Sequence, residues 1–325
     1  MNQHNPHQRM RTMSDKNVIK SGSNLERVLS SGHFAVTCEC GPPKGADVEH
    51  LQKKIDLIRG CIDAANVTDN QTAVVRMSSI AASSILLRNG LEPVMQMVTR
   101  DRNRIAAQSD VFGAYALGIR NMLCLTGDHQ SFGNHPMAKN VFDLDSIQLL
   151  DVVRTIRDQG TVNSGDPVEG GARMFLGAAA NPFADPFEFR VIRLAKKIRA
   201  GADFVQTQCI YDMDRFRKFM SMACDMGLDK QCFILAGLTP LKSAGMAAYM
   251  NRSVSGITIP DEIIKRIKGV PKGNQAEEGI NLLLEQIQQV REIPGIAGVH
   301  IMAIEWEERI KEITERAGLL PRPQI

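Results

Sequence analysis

Tryptophan is nearly missing: Trp306 is the only one in 325 residues, and Phe, Tyr and Trp together make up 5%. A core cannot then be built around large rings; it must be aliphatic and rich in Met, of which there are 16. No apolar run approaches the length of a membrane-spanning helix, so no membrane partner is expected. Charge of one sign is lacking too. Lys and Arg number 39 against 36 Asp and Glu, a formal balance of +3. The two signs are mixed along the chain, which leaves no basic stripe for nucleic acid. No Gly-x-Gly-x-x-Gly follows an apolar strand and there is no P-loop, so a dinucleotide, if bound, is held without those glycine devices. The seven cysteines (Cys38, Cys40, Cys61, Cys124, Cys209, Cys224 and Cys232) are odd in number, scattered, and set mostly in apolar segments. No Cys or His pair has zinc spacing, so no metal site is expected. The pattern is that of reduced thiols in a cytoplasm.

What is present is a long alternation. Residues 1–22 are polar, with no apolar stretch of the kind a secretion signal needs, and read as a disordered tail. One domain is expected over 23–325. Ser23-Asn24-Leu25-Glu26 has capping-box spacing and opens a short helix. Strands are expected at 33–39, 64–68, 93–98, 121–126, 174–179, 204–208, 232–236 and 298–303. Helices are expected between them, among others at 75–89, 102–117, 213–226 and from about 143 to 158. Extra helices fill the span between strands seven and eight, and a last helix starts near 305. A doubly wound open sheet also alternates in this way. Eight repeats in this length favour an α/β fold closed into a (β/α)8 TIM barrel.

In such a barrel the C-terminal strand ends converge on one mouth. Glu39 ends the first apolar strand, just before a Gly-Pro-Pro turn that stops further pairing. An acid in that place is costly to desolvate unless it has a task. Thr68, Asp69 and Asn70 end strand two, and Gln96 lies in strand three. Gly127-Asp128 follows strand four, Asn181 strand five and Gly237 strand seven. Gln208 ends strand six, and His300 lies in strand eight. Acids and amides with few bases suit a neutral, hydrogen-bonding heterocycle better than a bare polyphosphate.

These residues carry a family likeness. Thr37-Cys38-Glu39 with Pro42-Pro43, Asn66-Val67-Thr68, Leu125-Thr126-Gly127-Asp128, Ala200-Gly201-Ala202-Asp203-Phe204 running into Thr207-Gln208, and Leu235-Ala236-Gly237-Leu238-Thr239-Pro240 follow one another across residues 23 to 318. In that order and spacing the chain resembles the methylenetetrahydrofolate reductases of the single-barrel bacterial type. The resemblance implies flavin-dependent reduction of 5,10-methylenetetrahydrofolate to 5-methyltetrahydrofolate by a ping-pong hydride transfer, a step of one-carbon metabolism toward methionine. It implies FAD as cofactor, with FMN the alternative, and NADH or NADPH as reductant. Divergent relatives work with a partner subunit that delivers electrons or carries zinc; such a partner, and an oligomer, are expected here. By the same resemblance Glu39 is the general acid and Asp128 the acid beside the flavin ring. Thr68, Gln96, Gly127, Ala179, Asn181 and Lys197 are cofactor contacts, Lys197 on the phosphate. Glu39, Gln208, Met246 and Met250 are substrate contacts. The chain departs from the family pattern at Gln96 (commonly His), Thr126 (Arg), Asn181 (Tyr) and Asp185 (His), and at Met246 (Gln) and Met250 (Phe).

Plainer readings stand beside these. Glu39 as a structural acid would pair with a barrel Lys or Arg. Asp128 would cap its own loop, Gln208 would satisfy nearby backbone, and Lys197 would lie on a solvated helix face. His300 would be a satisfied core histidine, and Met246 and Met250, at helical i,i+4 spacing, would be core. Cys38 and Cys40 fall on the strand face opposite Glu39 and pack against helices. Two other functions fit a pterin-binding barrel: methyl transfer to a corrinoid or thiol without a flavin, and a subunit active only with its partner.

Overall fold

The structure, a computed structural model, describes residues 18–254 and 256–325. Eight parallel strands close into a barrel in chain order: β1 (Ala35–Glu39), β2 (Ala64–Val67), β3 (Pro93–Val98), β4 (Asn121–Leu125), β5 (Phe175–Ala180), β6 (Phe204–Cys209), β7 (Phe233–Leu238) and β8 (Ile296–Ile301). β8 returns to pair with β1, Cys38 opposite Ile301. The helices are α1 (Asn24–Ser30), α2 (Val48–Ile58), α3 (Ser79–Arg88), α4 (Arg104–Ala116), α5 (Ser146–Gln159), α6 (Glu188–Ala200), α7 (Met213–Asp225), α8 (Ala244–Ser253), α9 (Asp261–Lys268), α10 (Gln275–Arg291) and α11 (Ile310–Arg316). Of the expected tail, residues 1–17 lie outside the described residues. Residues 20–22 are held instead, because the Glu26 carboxylate accepts from the backbone N–H groups of Lys20, Ser21 and Gly22. No helix among the described residues is long and apolar enough to cross a membrane.

Strand alternation sorts side chains into two cores. Val36, Cys38 and their equivalents face the helices, packing with Leu51, Ile55 and Ile58 of α2. Ala35, Ala64, Val94, Leu123, Phe175, Phe204 and Phe233 face inward and fill the N-terminal half of the barrel. α1 closes that end with Leu25, Val28 and Leu29. Three phenylalanines meet here: the rings of Phe175 and Phe204 stack with centroids 5.1 Å apart, and Phe233 packs beside them. Gly177, paired with Phe204, makes room for them, since a Cβ there would stand 2.3 Å from the Phe204 ring. The ring is fully buried and has nowhere to go. Gly177→Ala is therefore expected to cost about 1–3 kcal/mol by overpacking, read as a lower urea midpoint. Phe204→Leu added to it should recover part of the loss; an unchanged midpoint for Gly177→Ala would contradict this packing account.

Three helix starts differ from the sequence expectation. The helix expected from 75 begins at Ser79, with Ser78 as its cap. The preceding N–H groups are engaged elsewhere, Met77 with the Pro43 carbonyl and Arg76 with Asn70 Oδ1. The helix expected from 143 begins at Ser146, because Asp145 caps it in a reciprocal box with Gln148, while Asp143 binds Arg104. The last helix is preceded by a 3-10 turn, Glu307–Arg309, after left-handed Glu305.

Candidate active site

The mouth at the C-terminal strand ends is built on a polar floor. Thr37, Asn66, Gln206 and His300 occupy inward positions one layer above the aromatic core and are all buried. The amides of Asn66 and Gln206 bond reciprocally at 2.6 and 3.0 Å. Gln206 Nε2 also donates to Thr37 Oγ1 at 3.2 Å, and Thr37 Oγ1 lies 2.9 Å from His300 Nδ1. Burial pushes His300 down to about 3, so it is neutral and serves as part of the floor.

Glu39 stands above that floor on the inward face of β1, in register with Asn66. It is half-buried and makes no hydrogen bond or ion pair among the described residues. Burial, then the nearby Glu307 carboxylate, raise its carboxyl from 4.5 to about 7, against the opposing pull of Lys54 and Arg76. A structural acid would have found a cation; this one has none bonded to it. Thr68, at the tip of the next strand, is buried and its hydroxyl has no partner among the described residues. Gln96 of β3 is also buried and forms no side-chain hydrogen bond among the described residues. Asp69, by contrast, is committed to the fold, accepting from Val98 N at 2.9 Å and from Arg102 at 2.6 Å.

Gly127 turns the chain after β4 with φ +89°, where a Cβ would also press to 3.0 Å from Val98. Asp128 follows, exposed, its carboxylate unbonded among the described residues. Its carbonyl accepts from buried Arg100, which also holds the Asn70 carbonyl and so stitches the β2 and β4 loops together. Among the described residues, the non-glycine ones with left-handed backbone (Asn70, Thr72, Ala73, Phe142 and Glu305) all lie in connections that leave strand ends at this mouth. Such strain concentrates at working sites.

On the far side of the mouth a cavity of about 260 Å³ is lined by Ala179, Asn181, Arg190, Arg193, Lys197 and Gln208, among others. Lys197 reaches in from α6 and donates to the Ala179 carbonyl at 2.5 Å. Burial, with Arg193 adding to it, lowers the Lys197 ammonium to about 8. Four residues singled out in the sequence, Ala179, Asn181, Lys197 and Gln208, thus meet in one cavity.

The methylenetetrahydrofolate reductase family matches residues 24–318. The chain belongs to that family. A Caenorhabditis elegans relative described as a probable methylenetetrahydrofolate reductase (NADPH) is 24% identical over 263 residues, 79% of this chain and 36% of its own length. The chain therefore spans little more than a third of that relative. A 5,10-methylenetetrahydrofolate reductase of Pectobacterium carotovorum is 20% identical over 296 residues, covering 89% of this chain and 92% of its own. Among solved structures, a Clostridium thermocellum protein described as binding two copies of 5-methyl-5,6,7,8-tetrahydrofolic acid superposes with a TM-score of 0.63 at 16% identity, covering 92% of this chain and 99% of its own.

Within this reductase-family barrel the two methionines belong to one satellite core, Met250 inside it and Met246 at its edge. Met246 of α8 is half-buried, its sulfur accepting from Lys242 N at 3.5 Å. Met250 is buried in a satellite core with Leu241, Ala247, Ile259 and Ile267, so it is packed rather than presented to the mouth. Sequence reasoning did not assign the floor to Asn66 and Gln206, although both are amides alternating with apolar neighbours on strands, the available signal. Among the described residues no group of three or more metal-ligating side chains gathers. All seven cysteines are free thiols, with Cys38 and Cys40 buried in the helix-facing core.

Proposed function

We propose that this chain reduces 5,10-methylenetetrahydrofolate to 5-methyltetrahydrofolate with a bound flavin, FAD or alternatively FMN, re-reduced by NADH, NADPH or a partner subunit. The observation that carries the reading is Glu39, a carboxyl in the barrel mouth that holds its proton to about pH 7 and has no bonded cation among the described residues. The side chains around it suit a flavin. The orphaned hydroxyl of Thr68 and the unbonded amide of Gln96 offer buried hydrogen bonds to a polar ring. Across the mouth, Lys197 and Arg193 offer positive charge to a phosphate.

When bound, the flavin supplies the hydride. The protein supplies position and a proton. Asp128 would lie beside the bound ring, where its carboxylate would disfavour further negative charge and so tune the potential. Gln208 orients the folate through its amide. Glu39 gives its proton to folate N10, the bond from the bridging carbon to N10 breaks, and the iminium left at N5 accepts the hydride to become the methyl group.

The test is direct. Purified protein, loaded with FAD or FMN, should be yellow, bleach with NADH or NADPH, and regain colour on anaerobic addition of methylenetetrahydrofolate. A protein that neither retains nor rebinds either flavin would overturn the proposal. Methyl transfer to a corrinoid or thiol with no change in flavin colour would assign the barrel to a methyltransferase instead.

A further inference from the structure

Behind the tip of β1, Lys54 and Glu307 form an ion pair of 2.7 Å. Lys54 rises from α2, the helix after β1. Glu307 sits in the 3-10 turn after β8, the strand that flanks β1. Both side chains are largely buried, at 13% and 6% exposure, so the pair carries a desolvation cost that a surface pair escapes. Its bonding is sparse: among the described residues the Lys54 ammonium makes this one hydrogen bond and the Glu307 carboxylate accepts this one. Glu307 and Lys54 both act on the charge of Glu39, in opposite senses. The ammonium is bonded to the carboxylate outside the mouth and leaves the one inside it alone.

We infer that Glu307 is a positioning residue for the acid: by holding the Lys54 ammonium it keeps that cation off Glu39, whose carboxyl stays unpaired. The inference rests on the reading of Glu39 as proton donor. The other charged and titratable groups facing Glu39 do not supply this effect. Arg76, from the loop before α3, is turned to the Pro42 carbonyl at 3.0 Å and acts against protonation. Cys209 of β6 and Cys38 of β1 are buried thiols kept neutral by burial. With Glu307 gone, its repulsion of Glu39 goes too, and the pull of the freed Lys54 ammonium on Glu39 favours the ionised carboxylate. An ionised Glu39 has no proton to give. If only the charge of Glu307 acted on Glu39, the Glu39 midpoint would fall in Glu307→Gln and stay down when Lys54 is also removed.

The experiment uses the full chain loaded with FAD, in four forms: wild type, Glu307→Gln, Glu307→Asp, and Glu307→Gln with Lys54→Met. Carboxyl-labelled glutamate allows the Glu39 resonance to be followed against pH, assigned by its loss in Glu39→Gln. The pH profile of flavin reoxidation by methylenetetrahydrofolate is recorded in parallel. In Glu307→Gln the Glu39 midpoint should fall by about 1–3 pH units, as expected of a carboxyl that gains a cation. The high-pH fall in reoxidation should move with it. Glu307→Asp should move both the same way by less, and serves if the amide variant does not fold. Adding Lys54→Met should return both to wild type. A midpoint that stays put overturns the inference, as does a fallen midpoint that the double variant fails to restore. A midpoint that moves while the reoxidation profile does not would uphold the role of Lys54 and Glu307 and remove Glu39 as the proton donor.

Discussion

Glu39→Gln is expected to leave flavin reduction by reduced nicotinamide intact and to slow reoxidation by methylenetetrahydrofolate by about 10²–10⁴-fold, the usual worth of a general acid. The amide keeps the shape and the hydrogen-bonding edge but has no proton of useful acidity. Only the half-reaction that breaks the N10 bond needs one, so the two half-reactions should part. Anaerobic rapid mixing measures each separately; unchanged reoxidation would remove Glu39 from the chemistry. The pH dependence has a definite sign. With the carboxyl raised to about 7, mainly by burial, the acid form prevails below that pH. Reoxidation should be flat there and fall tenfold per unit above it, and in Glu39→Gln the residual rate should lose this break. Stability runs in a linked direction. The folded carboxyl keeps its proton to a higher pH than the unfolded one, so the folded state binds more protons between 4.5 and 7. Glu39 therefore subtracts stability as pH rises through that window. Glu39→Gln should abolish that slope and be the more stable protein above pH 7, as expected where function is held against a stability cost.

That carboxyl was legible in the sequence because one strand suffices to find it. The apolar run before Glu39, the prolines after it and a two-residue period fix its face and its place at the strand tip. Asp128 after Gly127 and Gln208 at the end of β6 were found by the same local reasoning, and so was the closed barrel, through eight repeats of one pattern. What stayed hidden depends on residues far apart in the chain. Asn66 and Gln206 form the floor because β2 and β6 face each other across the barrel, and no alternation within either strand says so. The late start of α3 is set by the Pro43 carbonyl taking the Met77 N–H. Composition alone makes residues up to 22 a free tail, whereas Glu26, a capping residue by its spacing, gathers the N–H groups of residues 20–22. Lys54 and Glu307 are separated by 253 positions, and each alone is an ordinary charge on a helix or turn.

The same hidden long-range pairing governs the largest expected loss of stability. Asp203→Ala should destabilise the barrel by about 3–5 kcal/mol, the range for stripping one partner from a buried ion pair. Asp203 sits just before β6 at the N-terminal end of the barrel and gathers three elements. Its Oδ2 accepts from Arg157 of α5 at 2.6 Å and from Leu176 N of β5 at 2.9 Å, while Oδ1 binds Lys20, which lies ahead of α1. The Asp203 and Arg157 side chains are each 2% exposed, so water cannot replace what is removed. Arg157 keeps Asp158 and the Met174 carbonyl, both weaker substitutes because Asp158 is half in solvent. Alanine thus leaves a buried guanidinium short of a counter-charge and a strand N–H without an acceptor. A melting temperature about 5–10 °C lower should report this. The comparison that decides the cause is Asp203→Leu with Arg157→Met. If the loss comes from an uncompensated charge, the apolar pair should regain much of it, since well-packed hydrophobic replacements of buried pairs are often neutral. If it comes from the Leu176 N–H or from untying Lys20, the double variant should be as unstable as Asp203→Ala. Asp63, which accepts from Val36 N before β2 and binds Arg322 at 2.6 Å, repeats the arrangement four strands away. Asp63→Ala should therefore fall in the same direction, and its effect should add to that of Asp203→Ala, because these partners of the two aspartates are different residues.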